Sequence, residues 1–293
     1  MLAWLFARST GRRFLMRVED VDRARDSGAA EGQLADLRAI GVDWDGDPVI
    51  QSERRAAHEA AIAQLAAVGL VYECTCTRRE IQEAPTAPHA PPGAYPGTCR
   101  DRTEAERREF REQIAPRQPA LRLRAPEGAV AASFDDLLLG RVEAAIDDLV
   151  LQRGDGAIAY NLAVVVDDAD MGVDQIVRGS DLATSTPRQI LLQKLLGLPS
   201  PPEVEYAHVP LVLGPTGARL AKRDGSVTLR DLAAAGIDPD RVRAELGVSL
   251  GLARPGERPR MQELLARFDP SALPREPWIW RPEDWSSTGR ISA

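Results

Sequence analysis

The sequence predicts an α/β fold with a mostly parallel sheet, interrupted by a loop-rich, metal-binding segment. Three observations lead there. Strand-like and helix-like stretches alternate along 293 residues, the only three cysteines (Cys74, Cys76 and Cys99) share one short stretch, and proline and glycine crowd the chain between them. At 44% hydrophobic and 28% charged, with a mean hydropathy of −0.26, the composition excludes a mainly disordered or fibrous chain. No apolar run approaches the roughly 18–20 residues of a membrane span. The apolar opening from Met1 to Ala7 lacks the basic start and cleavage site of a signal peptide, so a cytoplasmic protein is expected. With a net charge of −7, any nucleic-acid partner must be held by a local basic surface.

Met1 to Arg8 reads as an apolar-faced helix without an N-cap, followed by Gly11 and a buried-strand pattern from Arg13 to Val18 that ends in Glu19-Asp20. Helix starts normally carry a cap, so this opening predicts further chain upstream of Met1. Ser52 is placed to cap the next helix, whose stripe is Ala61, Ile62, Leu65 and Val68 and whose C′ residue is Gly69. Residues 84–97 read as a loop, and an Arg/Glu-rich helix follows near Thr103 to Gln113. Short strands are expected at Ala120–Arg124, Asp148–Arg153, Gln175–Arg178 and His208–Leu213. Tyr160–Asp168 is ambiguous, because Val164-Val-Val166 favours a strand in a run too short to decide. Thr186-Pro187 opens a helix, with Thr as N-cap and Pro at N1, and Gly197 closes it. Gly214 to Gly217 reads as a turn, Arg219 to Ser226 as a charged loop, and the tail from Thr228 as mainly helical.

Clustered, odd in number and without an export signal, the cysteines point to metal ligation or to free thiols in a reducing compartment. Three thiolates bind zinc at about 2.3 Å each and would organise a loop that burial alone cannot fold. His89 and Tyr95 are both candidates for the fourth ligand, and a closed four-ligand site would be structural. Of 37 basic residues only Lys194 and Lys222 are lysines, and Lys222 sits in the loop Arg219-Leu-Ala-Lys-Arg-Asp-Gly225. Compact positive charge there suits a polyphosphate, or else forms a solvated basic turn. No P-loop or dinucleotide fingerprint is present. Glu19, Tyr160 and Arg178 lie at segment ends, where ligands of open α/β sheets bind. Arg178 could grip a carboxylate and Glu19 an amino group, as a zwitterionic amino acid requires; taken singly, each could equally be a structural ion pair.

In order along the chain come Phe14-Leu-Met-Arg-Val-Glu-Asp20, Tyr160-Asn-Leu-Ala-Val-Val-Val-Asp-Asp168, Ile176-Val-Arg-Gly179, Thr186-Pro-Arg-Gln189, His208-Val-Pro-Leu211 and Arg219-Leu-Ala-Lys-Arg223. This series resembles the catalytic domain of class I glutamyl-tRNA synthetases, from Met1 to about Leu252. The spacing of Cys74, Cys76, Tyr95 and Cys99 is similar to the zinc site of that family's short branch, which glutamylates queuosine in tRNA(Asp). The resemblance implies a Rossmann-type catalytic part in two pieces, 1–72 and 157–227, around a zinc-binding and connective portion at 73–156. A short helical part at 228–293 follows in place of an anticodon-binding domain.

It further implies that Glu19, Tyr160 and Arg178 contact glutamate and that Tyr95 is the fourth zinc ligand. Lys222 matches the second lysine of the KMSKS-like ATP loop, with Arg219 in place of the first and Ala221 in place of the serine. A helix is implied around Val164. The family's first strand and HIGH-like motif would lie upstream of Met1. The implied reaction is formation of glutamyl-adenylate from glutamate and ATP, which brings Mg²⁺, then transfer to queuosine at the wobble position of tRNA(Asp). No protein or membrane partner is implied. The competing readings are a non-catalytic tRNA- or glutamate-binding paralogue and a glutamyl-tRNA synthetase catalytic fragment.

Overall fold

A computed structural model of the chain describes residues 1–21, 28–83, 94–126, 131–218, 228–234 and 236–281. The chain opens with α1 (Leu2–Ser9), whose Trp4, Leu5 and Phe6 are buried, and continues to β1 (Arg17–Val18). The buried strand expected from Arg13 is thus only two residues long and half-buried. Upstream of it, Asp45 takes over the pairing: its amide donates to the Phe14 carbonyl and its carboxylate accepts the Phe14 amide. After α2 (Ala30–Ala39), β2 (Val49–Ile50) pairs in parallel with β1.

A 3₁₀ turn, Gln51–Arg54, then leads into α3 (Arg55–Ala67). Ser52 does not cap this helix. It lies in the 3₁₀ turn, and its amide and hydroxyl both donate to Asp20, at 2.7 and 2.6 Å. Ala61, Ile62 and Leu65 are buried as expected, but Val68 is 66% exposed. It is the C-cap residue, past the turns that pack on the helices opposite, and His58 is buried on the inward stripe. Gly69 takes the left-handed conformation, φ 75°, as the C′ position requires.

Next come β3 (Val71–Cys74), α4 (Arg78–Glu83) and α5 (Glu104–Ile114). Thr103 and Glu106 close a capping box at the start of α5. Then follow β4 (Ala120–Leu123), the hairpin β5 (Ala131–Asp136) and β6 (Gly140–Ala145), and β7 (Val150–Gln152). Tyr160–Asp170 is α6, so the helix implied by the resemblance holds and the valine run is not a strand. After β8 (Gln175–Gly179), a 3₁₀ turn, Ser180–Ser185, enters α7 (Thr186–Leu196), closed by Gly197 at φ 69°. The N-cap position of α7 is Ser185. Thr186 is the first helical residue, and its hydroxyl is engaged elsewhere.

The remaining elements are β9 (Glu205–Val209), β10 (Val212–Leu213), α8 (Leu229–Ala234), α9 (Pro239–Ser249), α10 (Met261–Ala266) and β11 (Trp278–Ile279). Parallel pairing joins β1 to β2, β10 to β11, and β9 to both β8 and β5. The pairings β3–β4–β7 and β5–β6 are antiparallel. One mostly parallel sheet is therefore not what forms. Among the described residues, strands of two to six residues make four small sheets, and the hairpin from segment 73–156 extends the β8–β9 sheet, with β5 parallel to β9 and β6 antiparallel to β5.

Two large apolar clusters and three smaller ones pack the described elements together. Ile62, Leu65, Leu151, Leu162 and Leu192 bring α3, β7, α6 and α7 together, and each full burial contributes about 1.5–3 kcal/mol. Trp4 and Leu5 of α1 pack instead with Val242, Leu264 and Trp280 from the C-terminal part. No helix among the described residues is long and apolar enough to cross a membrane.

Candidate active site and metal centre

A cleft of about 560 Å³ lies between α1, β1, α6 and β8. Glu19, Tyr160 and Arg178, read separately from the sequence, all line it, together with Arg17 and Asp168. Arg17 is committed within the protein. Its two terminal nitrogens donate to Asp168 at 2.6 Å and to Glu19 at 3.0 Å. Burial alone would lower the Arg17 guanidinium, but these carboxylates outweigh burial and leave it raised. Burial and the nearby Glu19 charge push the Tyr160 hydroxyl up, which keeps it a neutral donor.

Arg178 differs in kind. Its Nε donates to His208 Nε2 at 3.2 Å and its Nη2 to Thr186 Oγ1 at 2.7 Å. Among the described residues it forms no ion pair, so its charge is uncompensated at contact distance, in a cleft sized for a small ligand. His208, fully buried, meets Asp136 through Nδ1 at 2.6 Å. Burial works to raise Asp136, but hydrogen bonds from His208 and from the amides of Leu138 and Leu139 hold it below its ordinary value. Behind the cleft, fully buried Asp167 accepts from Gln51, Arg54 and His58 and so locks α6 to α3. Adjacent Asp168 faces the cleft instead, paired with Arg17.

The second constellation is Cys74, Cys76 and Cys99, whose sulfurs lie within 4.8 Å of one another. Cys76 and Cys99 sulfurs are 3.5 Å apart, near the ~3.8 Å edge that four bonds of about 2.3 Å give around a tetrahedral ion. The Tyr95 hydroxyl lies beside them, 3.4 Å from the Cys74 sulfur and 3.9 Å from that of Cys76. Hydrogen bonds from Cys74 and Cys76 push the Cys99 thiol down, while those to Cys74 and Cys99 push the Cys76 thiol up. Without a cation, three sulfurs this close share protons unequally; a divalent ion would let all three ionise. The group could hold a metal. His89 lies outside the described residues.

The family model for class I tRNA synthetases (E and Q), catalytic domain, matches residues 1–272. The chain belongs to this family. It is 62% identical over 281 residues to a glutamyl-Q tRNA(Asp) synthetase of Nocardia farcinica, covering 95% of this chain and 86% of that one. A relative of the same name from Symbiobacterium thermophilum is 46% identical over 292 residues, covering 94% of this chain and 88% of the relative. Among solved structures, a glutamate tRNA ligase of Elizabethkingia meningosepticum in complex with its amino acid superposes with a TM-score of 0.76 at 23% identity. That match covers 97% of this chain and 63% of the ligase, and the likeness is one of fold.

For this class I synthetase the sequence reading overlooked Arg17, Asp168, Thr186 and His208 as parts of the cleft and its wall. A signal existed for the first two. Residues 17 and 19 share a face of an extended strand, and 160, 164 and 168 share a face of a helix, so helical spacing would have joined Asp168 to Tyr160. Lys222 and Arg219 lie outside the described residues.

Proposed function

We propose that this chain activates glutamate with ATP and transfers it to queuosine at the wobble position of tRNA(Asp). The observation that carries the reading is Arg178: a cleft-lining guanidinium held, among the described residues, by His208 and Thr186 and by no carboxylate, with Glu19 and Tyr160 in the same cleft. A free carboxylate of the amino acid would pair with Arg178, and its ammonium with Glu19, whose carboxylate is 41% exposed. The other carboxylate attacks the α-phosphate of ATP, brought with Mg²⁺, and pyrophosphate leaves. Lys222, with Arg219, neutralises the charge that develops on that leaving group. The high identity to relatives named for glutamyl-Q and tRNA(Asp) supports the choice of acceptor. The substrates are those of the cytoplasm.

In this reading residues 1–72 and 157–227 form the catalytic part, 73–156 a zinc-binding connective portion, and 228–293 a helical C-terminal part. Zinc on Cys74, Cys76, Tyr95 and Cys99 serves as a structural crosslink. Glutamate-dependent exchange of pyrophosphate into ATP tests the activation step. Lys222→Ala should slow exchange by about 100-fold with little change in the KM for glutamate, as expected for a contact strengthened in the transition state. Exchange at the wild-type rate in Lys222→Ala would refute the role of this lysine.

A further inference from the structure

Arginine can only donate hydrogen bonds, so the 3.2 Å contact from Arg178 Nε requires an unprotonated Nε2 on His208. The imidazole proton must then sit on Nδ1, where Asp136 Oδ2 accepts it at 2.6 Å. Asp136 is itself fixed, because it also accepts the amides of Leu138, Leu139 and His208. From α7, Thr186 Oγ1 touches both Arg178 Nη2 and His208 Nε2, at 2.7 and 3.1 Å. The Phe134 and Tyr206 rings wall in the imidazole, with Tyr206 parallel to it at 4°. His208, Thr186 and Asp136 are all buried, and none lines the cleft.

We propose that His208, held in its Nδ1–H tautomer by Asp136, is a positioning residue that fixes the Arg178 guanidinium for glutamate. The chain Asp136–His208–Arg178 runs from the end of β5, through β9, to β8 at the cleft wall. Holding Nε and Nη2 from behind leaves the guanidinium one orientation instead of the many rotamers an exposed arginine samples, and the ordering is complete before the ligand arrives. An arginine tied to a carboxylate would be as rigid but already neutralised, as Arg17 is. Neutral acceptors give rigidity and preserve the charge. The inference rests on the reading of the cleft as the glutamate site and adds to it the residues that set affinity.

Calorimetric titration with L-glutamate, and separately with a non-hydrolysable ATP analogue, tests this on three variants of the full chain. Glutamine places an acceptor oxygen where Nε2 stands, whereas asparagine reaches only the Nδ1 position and Asp136. His208→Gln should therefore hold glutamate affinity within about 3-fold, while His208→Asn should lose about 10-fold, the scale of one hydrogen bond to a charged group. Affinity for the ATP analogue should stay within about 2-fold in both. A merely structural histidine would give the reverse order, since asparagine keeps the bond to Asp136, and that order overturns the proposal. Should either His208 variant fail to fold, Thr186→Val decides: a loss of about 5-fold in glutamate affinity is expected, and unchanged affinity overturns the proposal. Arg178→Ala separates the two levels. If it too binds glutamate like wild type, the glutamate site itself is misassigned; if it alone weakens binding, only the positioning role falls.

Discussion

Arg178→Ala is expected to weaken L-glutamate binding by about 100-fold, roughly 3 kcal/mol, while the chain stays folded. The size follows from what is removed. Arg178 lines the cleft and has no carboxylate partner among the described residues, so its charge meets the ligand in a site partly shielded from water. Truncation also removes the bonds that Arg178 donates to buried His208 Nε2 and Thr186 Oγ1. Arg178→Lys should recover part of the loss, about 10-fold below wild type, because an ammonium keeps the charge but cannot make the paired bonds of a fork. Titration calorimetry reads both. Alanine binding glutamate as wild type does would place the carboxylate elsewhere.

The second large effect concerns the cysteine cluster. Elemental analysis of protein purified without added metal should find about one zinc per chain, and Cys99→Ser should lose it. Cys74 lies at the end of β3, and Cys99 joins the hydrophobic cluster of Tyr72, Cys74 and Tyr95, so one ion ties the strand to the loop. With the ion gone, residues 73–83 and 94–102 lose the tie between strand and loop, and hydrogen exchange there should rise. Tyr95→Phe is milder, because three thiolates remain. Its zinc should still escape to a chelator at least as readily as the ~10–100-fold that loss of an outer-shell partner costs. Full retention in Cys99→Ser contradicts the site; full retention in Tyr95→Phe contradicts only the tyrosine and returns His89 as the fourth ligand.

Chemistry-bearing residues were more legible than the geometry that joins them. The cysteines announced themselves by clustering, since three thiols have little other reason to share a stretch, and the structure gathers them. Glu19, Tyr160 and Arg178 were legible as polar ends, and one cleft collects them. Local rules also carried Gly69 and Gly197, where a left-handed backbone is dictated by the residue itself.

What escaped depends on partners far along the chain. Ser52 has the chemistry of a helix cap, but Asp20, 32 residues away, claims its hydroxyl. Thr186 has the same chemistry, and Arg178 claims it. The β5–β6 hairpin carries little period-2 hydrophobicity, because Phe134 is its one buried apolar side chain. Asp168 was hidden by the valine run, which favours a strand locally and is overruled by packing against α3 and α7.

The most direct test is to incubate the protein with labelled glutamate, ATP and tRNA(Asp), with and without queuosine, and to map the label by nuclease digestion. Label confined to the anticodon arm of the queuosine-containing tRNA, and none on tRNA lacking the modified base, is the expected result. Label at the 3′ end would make the chain an aminoacylating synthetase, and no label on either tRNA would contradict glutamate transfer altogether.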